Sequence, residues 1–472
     1  MSNSNNKARR ASGASAFSRR LLCGASLAAL IALGAPSIAR AQDQDRYWDA
    51  NGTNPGSGGN GTWDTSSPVW SQANSDVLGP YQTWDNAALD NAIFGITATG
   101  TTTTAGSVTL TAPITVHNMT FQTVNGWVLG GSTLTLAGTA PTLTINGDTT
   151  INSILAGTAG LTKLGSRTLT LTGANTFSGG ITLGGGALRA STDASLGALS
   201  NNIAVTASST LQINSDATAR TVNIGTGATL TLMGSGVGSA LLTGAGGISV
   251  GTTGPVRLTN DASTYTGSTR FNGCNGVCST YFSSIGNLGE ASSLGAPTDA
   301  ISGTILFAQT SQYSDSVIYT GDGDSSNRNW TLQGSTAIIR NQGSGTLTIT
   351  GNVTTNGGAN YSAESADFQL LGTLSGANYS FGGLAGRTIT LGGANDYTGS
   401  SSIGAITVKA PVLADAGVVS SLGAGTSAIA LSSNGALSYT GAGASSNRSW
   451  VIANTSGTIS NDGTGALNLS GA

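Results

Sequence analysis

Along most of the chain, apolar and hydroxyl-bearing residues alternate. Thr133-Leu134-Thr135-Leu136, Leu143-Thr144-Ile145, Thr168-Leu169-Thr170-Leu171, Leu230-Thr231-Leu232, Leu347-Thr348-Ile349 and Thr388-Ile389-Thr390-Leu391 all repeat with a period of two. Successive side chains of an extended strand point to opposite faces, so each run gathers its aliphatics on one side and its hydroxyls on the other. Clusters of Gly, Asn and Asp separate the runs and supply the turns between them. Strong helix formers are scarce: beyond residue 41, Lys occurs only as Lys163 and Lys409, and Glu only as Glu290 and Glu364. Short strands punctuated by glycine turns predict an all-β protein.

Internal repetition chooses among the β architectures. Ser325-Ser326-Asn327-Arg328-Asn329-Trp330 returns as Ser445-Ser446-Asn447-Arg448-Ser449-Trp450, 120 residues later, and the flanks Tyr319-Thr320-Gly321 and Tyr439-Thr440-Gly441 keep step. A second element occurs three times: Gly173-Ala174-Asn175-Thr176-Phe177-Ser178-Gly179, Asp261-Ala262-Ser263-Thr264-Tyr265-Thr266-Gly267 and Gly393-Ala394-Asn395-Asp396-Tyr397-Thr398-Gly399. Each copy is followed by Ser-Leu-Gly (195–197, 293–295, 421–423), with 19, 29 and 25 residues from the aromatic to the Leu. A constant strand frame with loops of varying length suits stacked coils. The expected fold is therefore a right-handed parallel β-helix, whose coils pair with their neighbours and stack their aliphatics inside. A set of separate β-sandwiches is the alternative.

Composition adds a location. The 472 residues include 71 Gly but only 9 Pro, and 8% are charged, which excludes collagen and a highly charged disordered chain. Residues 1–41 hold six basic side chains and no acid, then an apolar run over 21–38, then Ala39-Arg40-Ala41. That is the plan of a secretory signal peptide cut between Ala41 and Gln42. Ser18-Arg19-Arg20-Leu21-Leu22 also resembles a twin-arginine export signal. Without the leader, 12 basic residues face 21 acidic ones, so binding of nucleic acid through a basic face is not expected. The expected organisation is a signal peptide at 1–41, a Trp-rich cap region at 42–100 and the β-helix at 101–472.

The Trp-rich block reads Tyr47-Trp48-Asp49-Ala50-Asn51-Gly52, Gly61-Thr62-Trp63-Asp64, Val69-Trp70, Trp84-Asp85-Asn86 and Ala92-Ile93-Phe94-Gly95. Further on come Gly160-Leu161-Thr162-Lys163-Leu164-Gly165 and Leu169-Thr170-Leu171-Thr172-Gly173-Ala174-Asn175-Thr176-Phe177-Ser178-Gly179-Gly180. Together they resemble the autotransporter-associated β-strand repeat, the passenger-associated transport repeat of type V secreted bacterial surface proteins. One copy spans 160–188, and degenerate copies lie at 258–271 and 389–408. The resemblance implies a passenger on the cell surface or secreted, with a structural or adhesive role, whose repeats assist folding and secretion. Its ligand would be a glycan, the matrix or a neighbouring cell. An outer-membrane translocator barrel is expected of the family and is not found in this chain.

Candidate chemistry is thin. The only histidine is His117, so a Ser-His-Asp triad or a Cys/His zinc site lacks its members. Gly321-Asp322-Gly323-Asp324 is the densest acidic cluster, but its counterpart is Gly441-Ala442-Gly443-Ala444, which points to a solvated turn. Asp85 and Asp90 read the same way. A polysaccharide lyase or hydrolase is the alternative function and needs three or more carboxylates, or carboxylates plus Arg, stacked on one groove. No catalytic residue, cofactor or metal is expected. Cys274-Asn275-Gly276-Val277-Cys278 predicts a small disulfide-closed loop. Phe271, Tyr281 and Phe282 beside it make it the candidate contact loop. The early tryptophans Trp48, Trp63, Trp70, Trp84 and Trp127 are expected to plug the N-terminal end of the stack.

Overall fold

The computed structural model describes residues 43–471 except 53–55, 75–78, 98–101, 215–218, 236–238, 252–253, 273–278, 309–315, 335–336 and 454–455. The chain winds into a parallel β-solenoid of about 15 turns. Its coils are triangular. One face stacks Asn91–Phe94, Met119–Phe121, Thr142–Ile145, Leu161–Leu164, Ile181–Leu183 and onward to Leu241–Gly244. A second stacks Ser107–Leu110, Trp127–Gly131, Thr149–Ile151, Thr168–Leu171, Gly186–Ala190 and onward to Gly247–Val250. A third begins with Ile114–Val116, Leu134–Leu136 and Leu155–Ala156. The predicted alternation is the reason: Leu169 and Leu171 are fully buried while Thr168 and Thr170 of the same strand are not.

Because the strands are parallel and in register, like residues meet coil upon coil. One interior column runs Leu169, Leu188, Leu211, Leu232, Val250, Phe271, Phe307, Leu332. Each side chain is roofed and floored by its neighbours, so no coil closes a core alone. The strands Val353–Ala363 and Leu374–Gly383 pass from one face to the next without a break, with a register shift between Thr355 and Gly358.

That column corrects the contact-loop expectation. Phe271 occupies an interior place, and Phe282 another in the column Leu258, Phe282, Tyr319; both are buried. The period of two explains this, since Thr269 and Phe271, like Thr280 and Phe282, share the inward phase. Only Tyr281 points outward, where the Arg257 guanidinium lies 4.2 Å from its ring centre. Cys274 and Cys278 lie outside the described residues, as do Ala41 and Gln42.

The N-terminal end is built differently. Asp45–Trp48 pairs in parallel with Asn91–Phe94, but on its other side takes Trp70–Ser71 and then Tyr81–Gln82 in antiparallel pairing. The interior here is aromatic. Trp63 and Trp70 ring centres are 4.9 Å apart, Trp70 and Trp84 4.8 Å, and Trp48 and Trp70 5.2 Å. Phe94 stacks on Phe121 at 4.6 Å and meets Trp127 edge-on at 5.3 Å.

Candidate functional site

The thrice-repeated aromatic element and its Ser-Leu-Gly partner come together as a corner spanning successive coils. In the first corner, Asn175 bridges three levels: its Oδ1 accepts from the Leu155 N–H below at 2.7 Å, and its Nδ2 donates to the Ser195 carbonyl above at 2.6 Å. Asn395 repeats this between Leu374 and Ser421, at 2.8 Å on both sides. In the middle corner Ser263 stands at the same place and accepts from the Leu242 N–H at 3.2 Å. The aromatics Phe177, Tyr265 and Tyr397 are fully buried. Tyr265 shares a 2.7 Å hydrogen bond with Thr269, and Tyr397 one of 2.7 Å with Ser401, each four residues further on. Where Phe177 has no hydroxyl, the residue four further on is Ile181. Burial pushes the Tyr265 phenol up to about 12.

The glycine of Ser-Leu-Gly lies directly over the aromatic. Gly295 has φ +74°, and a β-carbon there would sit 2.5 Å from the Tyr265 carbonyl oxygen. Gly197 and Gly423 are alike, at +74° and +76°. Only glycine permits both the left-handed backbone and the close approach.

The period-two reading missed the third member of each corner, a buried arginine on the coil above. Arg220, Arg328 and Arg448 are all but fully buried. Arg220 donates to the carbonyls of Ala198 at 2.6 Å and Gly197 at 3.0 Å, and pairs with Asp193 at 2.7 Å. Arg328 donates to Gly303, Leu294 and Ile285 at 2.8, 2.7 and 3.3 Å. Arg448 reaches Gly423 at 2.6 Å, Gly425 and Ala414 at 3.1 Å, and Val418 at 3.2 Å. Burial pulls the pKa values of Arg328 and Arg448 down. The recurring Ser-Ser-Asn-Arg contains two of these arginines, yet nothing in it shows that the side chain turns inward.

A fourth buried cation lies in the copy at 160–188. Lys163 shares an interior row with Leu143 and Leu183 and donates to the carbonyls of Gly165, Arg167 and Gly185 at 2.8, 2.6 and 2.8 Å. Burial lowers its pKa to about 8. Gly186 makes room for it: a β-carbon there would stand 2.4 Å from Nζ.

Four acidic residues, Asp261, Glu290, Asp322 and Asp324, line one open groove of about 450 Å³ together with Ser283 and Ser284. The carboxylates serve as turn acceptors. Asp261 takes hydrogen bonds from the Ser283 and Ser284 hydroxyls at 2.5 and 2.6 Å, and Asp322 from Ser344 at 3.0 Å. Asp324 accepts from the Ile285 N–H at 2.7 Å, and Glu290 from the Asn287 N–H at 3.0 Å. Among the described residues no group of three or more His, Cys, Asp or Glu side chains is arranged to hold a metal ion. His117 contacts Asp43 through Nδ1, and its Nε2 lies 3.1 Å from the Thr139 carbonyl. Asp90 pairs with Arg46 at 2.6 Å, and the Asp85 carboxylate accepts from the Ala87 N–H at 2.9 Å.

The structure is thus a stacked parallel solenoid with recurring corners and one groove on which Asp261, Glu290, Asp322 and Asp324 meet. Residues 161–190 match the passenger-associated-transport-repeat family. The chain is similar to the adhesin BmaC autotransporter of Brucella suis biovar 1 (strain 1330), with 47% identity over 474 residues, covering 97% of this chain. It spans 13% of that relative's length. No solved structure matches it. The chain thus carries a passenger-associated transport repeat and resembles, over nearly its whole length, one part of an autotransporter adhesin.

Proposed function

We propose that this polypeptide is a segment of an exported bacterial surface passenger with an adhesive or structural role and no enzymatic one. The observation that carries the reading is the 47% identity to an autotransporter adhesin across 97% of the chain, on a solenoid whose first aromatic element, residues 173–179, lies in the transport repeat. Residues 1–41 direct export across the inner membrane, with cleavage between Ala41 and Gln42. The mature chain reaches the cell surface through an outer-membrane translocator barrel. The transport repeats, by building well-locked corners, assist folding during secretion. The surface ligand is a glycan, the matrix or a neighbouring cell, and the groove at Asp261 and Asp322 acts on no substrate.

The test is adhesion by the purified chain. Beads coated with residues 42–472 are expected to bind host cells or matrix above beads coated with an unrelated β-solenoid. Binding equal to that control on cells, matrix proteins and glycan arrays overturns the adhesive role. Fusion of residues 1–45 to a periplasmic reporter tests the leader: mass spectrometry should find Gln42 as the new N-terminus.

A further inference from the structure

Ordinary corners of this solenoid are short, but three are long: residues 191–202, 283–304 and 411–428 between the flanking strands. These three hold the Ser-Leu-Gly turns, and each is met by one buried arginine. That arginine binds main-chain oxygens at both ends of the excursion. Arg220 takes Asp193 at 3.1 Å on one side and Asn201 at 3.2 Å on the other. Arg328 joins Ile285 to Gly303, with Leu294 between them. Arg448 joins Ala414 to Gly425, with Val418 and Gly423 between them. Most acceptors are backbone carbonyls, joined in the first corner by the Asp193 carboxylate, so the site is a cage of oxygen acceptors that follows the turn's path.

The corners also rotate around the column. The first stacks on Leu155, after the strand Leu134–Leu136 of the third face. The second stacks on Leu242 of the first face through the Thr264 N–H. The third stacks on Leu374, in the strand Leu374–Gly383, through the Asp396 N–H. Their outer parts carry much of the exposed apolar surface: Leu199 is 75% exposed, Ile301 88% and Val418 51%. Buried bases and exposed tips of unlike sequence are what a fixed socket with an interchangeable loop requires.

We propose that each guanidinium is a tie that closes the base of an inserted loop from the coil above, making these three corners the places where the solenoid carries variable loops without losing its stack. A planar five-donor fork reaches carbonyls at both ends of a long loop, whereas an ammonium such as that of Lys163 gathers its three acceptors around one nitrogen. The tie has a cost, because among the described residues Arg328 and Arg448 are buried without a carboxylate ion pair and rely on carbonyl acceptors, with the Ser420 hydroxyl added for Arg448 at 3.5 Å. Among the described residues Arg328 Nη2 has no hydrogen-bond partner. A rigid, carbonyl-lined socket of this kind is an internal cation site occupied by the chain's own side chain.

Chemical rescue tests the proposal in the folded chain. Arg328→Ala should expose amides of 283–304 to hydrogen exchange roughly 10- to 100-fold faster, with distant coils unchanged. Guanidinium ion, at concentrations far below denaturing, should restore protection and raise the melting midpoint of Arg328→Ala while leaving the parent protein unaffected. Sodium at equal ionic strength should not. Arg328→Lys, which keeps the charge, should behave like the alanine variant. If Arg328→Ala does not fold, Arg220→Ala and Arg448→Ala provide the same measurement in the other corners. Four residues inserted between Thr298 and Asp299, both exposed, should leave the midpoint unchanged with Arg328 present and lower it further in Arg328→Lys. Unchanged exchange in the alanine variant, wild-type behaviour of the lysine variant, absence of rescue, or equal tolerance of the insertion in both backgrounds overturns the tie.

Discussion

The N-terminal end and the regular coils from Met119 to Val250 solve the same problem with different residues. In the regular coils, aliphatic columns such as Leu169, Leu188, Leu211 and Leu232 suffice, because every side chain has a like-sized neighbour above and below. At the end, among the described residues, no further parallel coil supplies one of those neighbours. The chain there turns antiparallel through Trp70–Ser71 and Tyr81–Gln82 and fills the space with Trp48, Trp63, Trp70 and Trp84. Large rings cover an interior that small branched side chains cover only in stacks. The indole nitrogens there are only partly satisfied, as are those of Trp127, Trp330 and Trp450 further along the chain. Trp48 and Trp84 donate to the carbonyls of Gly59 and Thr115, whereas Nε1 of Trp63 and Trp70 has no partner among the described residues. Shape outweighs hydrogen bonding at this end.

Replacing the central ring should separate the two regions most strongly. Trp70 touches Trp48, Trp63, Trp84 and Phe94, so Trp70→Ala should cost about 3–5 kcal/mol in urea unfolding. The equivalent cut in a column, Leu188→Ala, should cost about 2–4 kcal/mol, and exchange should rise mainly in the coils next to it. If Trp70→Ala proves milder than Leu188→Ala, the aromatic cluster is not what closes the end.

Lys163 is the exception inside the regular coils, and its charge offers a third measurement. Its folded pKa of about 8 lies below the ordinary lysine value of 10.5. Between those values the unfolded chain binds the proton that the native protein releases, so this group makes stability rise with pH. Unfolding at pH 7.5 and 9.5 should show the parent gaining about 2 kcal/mol relative to Lys163→Met over that interval. Parallel pH profiles for the two proteins would mean that its three carbonyl partners hold the ammonium at its ordinary pKa.

The parity of the strands was the most legible feature, because it needs only local alternation. The all-β class and the stack follow from Thr-Leu-Thr-Leu runs and the 120-residue recurrence. The same parity places Lys163 inside with Leu161, and Phe271 inside with Thr269. Reading Phe271 and Phe282 as projecting contacts gave the neighbouring cysteines more weight than that alternation. The arginine ties were not legible. Arg220 lies 24 residues beyond Leu196 and Arg328 34 beyond Leu294, so no fixed spacing marks the set. Their acceptors are backbone oxygens, which leave no trace in a sequence. The acidic turn Gly321-Asp322-Gly323-Asp324 was legible as a turn, while its meeting with Asp261 and Glu290 required the coils to be stacked.

The smallest expected effect distinguishes the corners from both regions. Tyr265 and Tyr397 are fully buried like the end tryptophans, yet each hydroxyl is matched by one four residues later, Thr269 or Ser401, at 2.7 Å. The first corner has neither hydroxyl, carrying Phe177 and Ile181. Removing Thr269 or Ser401 strands the tyrosine hydroxyl, removing the tyrosine leaves its partner only a long contact to the Leu294 or Leu422 carbonyl at 3.4 or 3.5 Å, and removing both restores the all-apolar pairing of the first corner. Tyr265→Phe and Thr269→Val should therefore each cost about 1 kcal/mol, and the double variant no more than either alone, a coupling of about 1 kcal/mol in a double-mutant cycle. Tyr397→Phe with Ser401→Ala should give the same pattern. Additive losses would mean that the hydroxyls bond elsewhere and that the three corners do not share one construction.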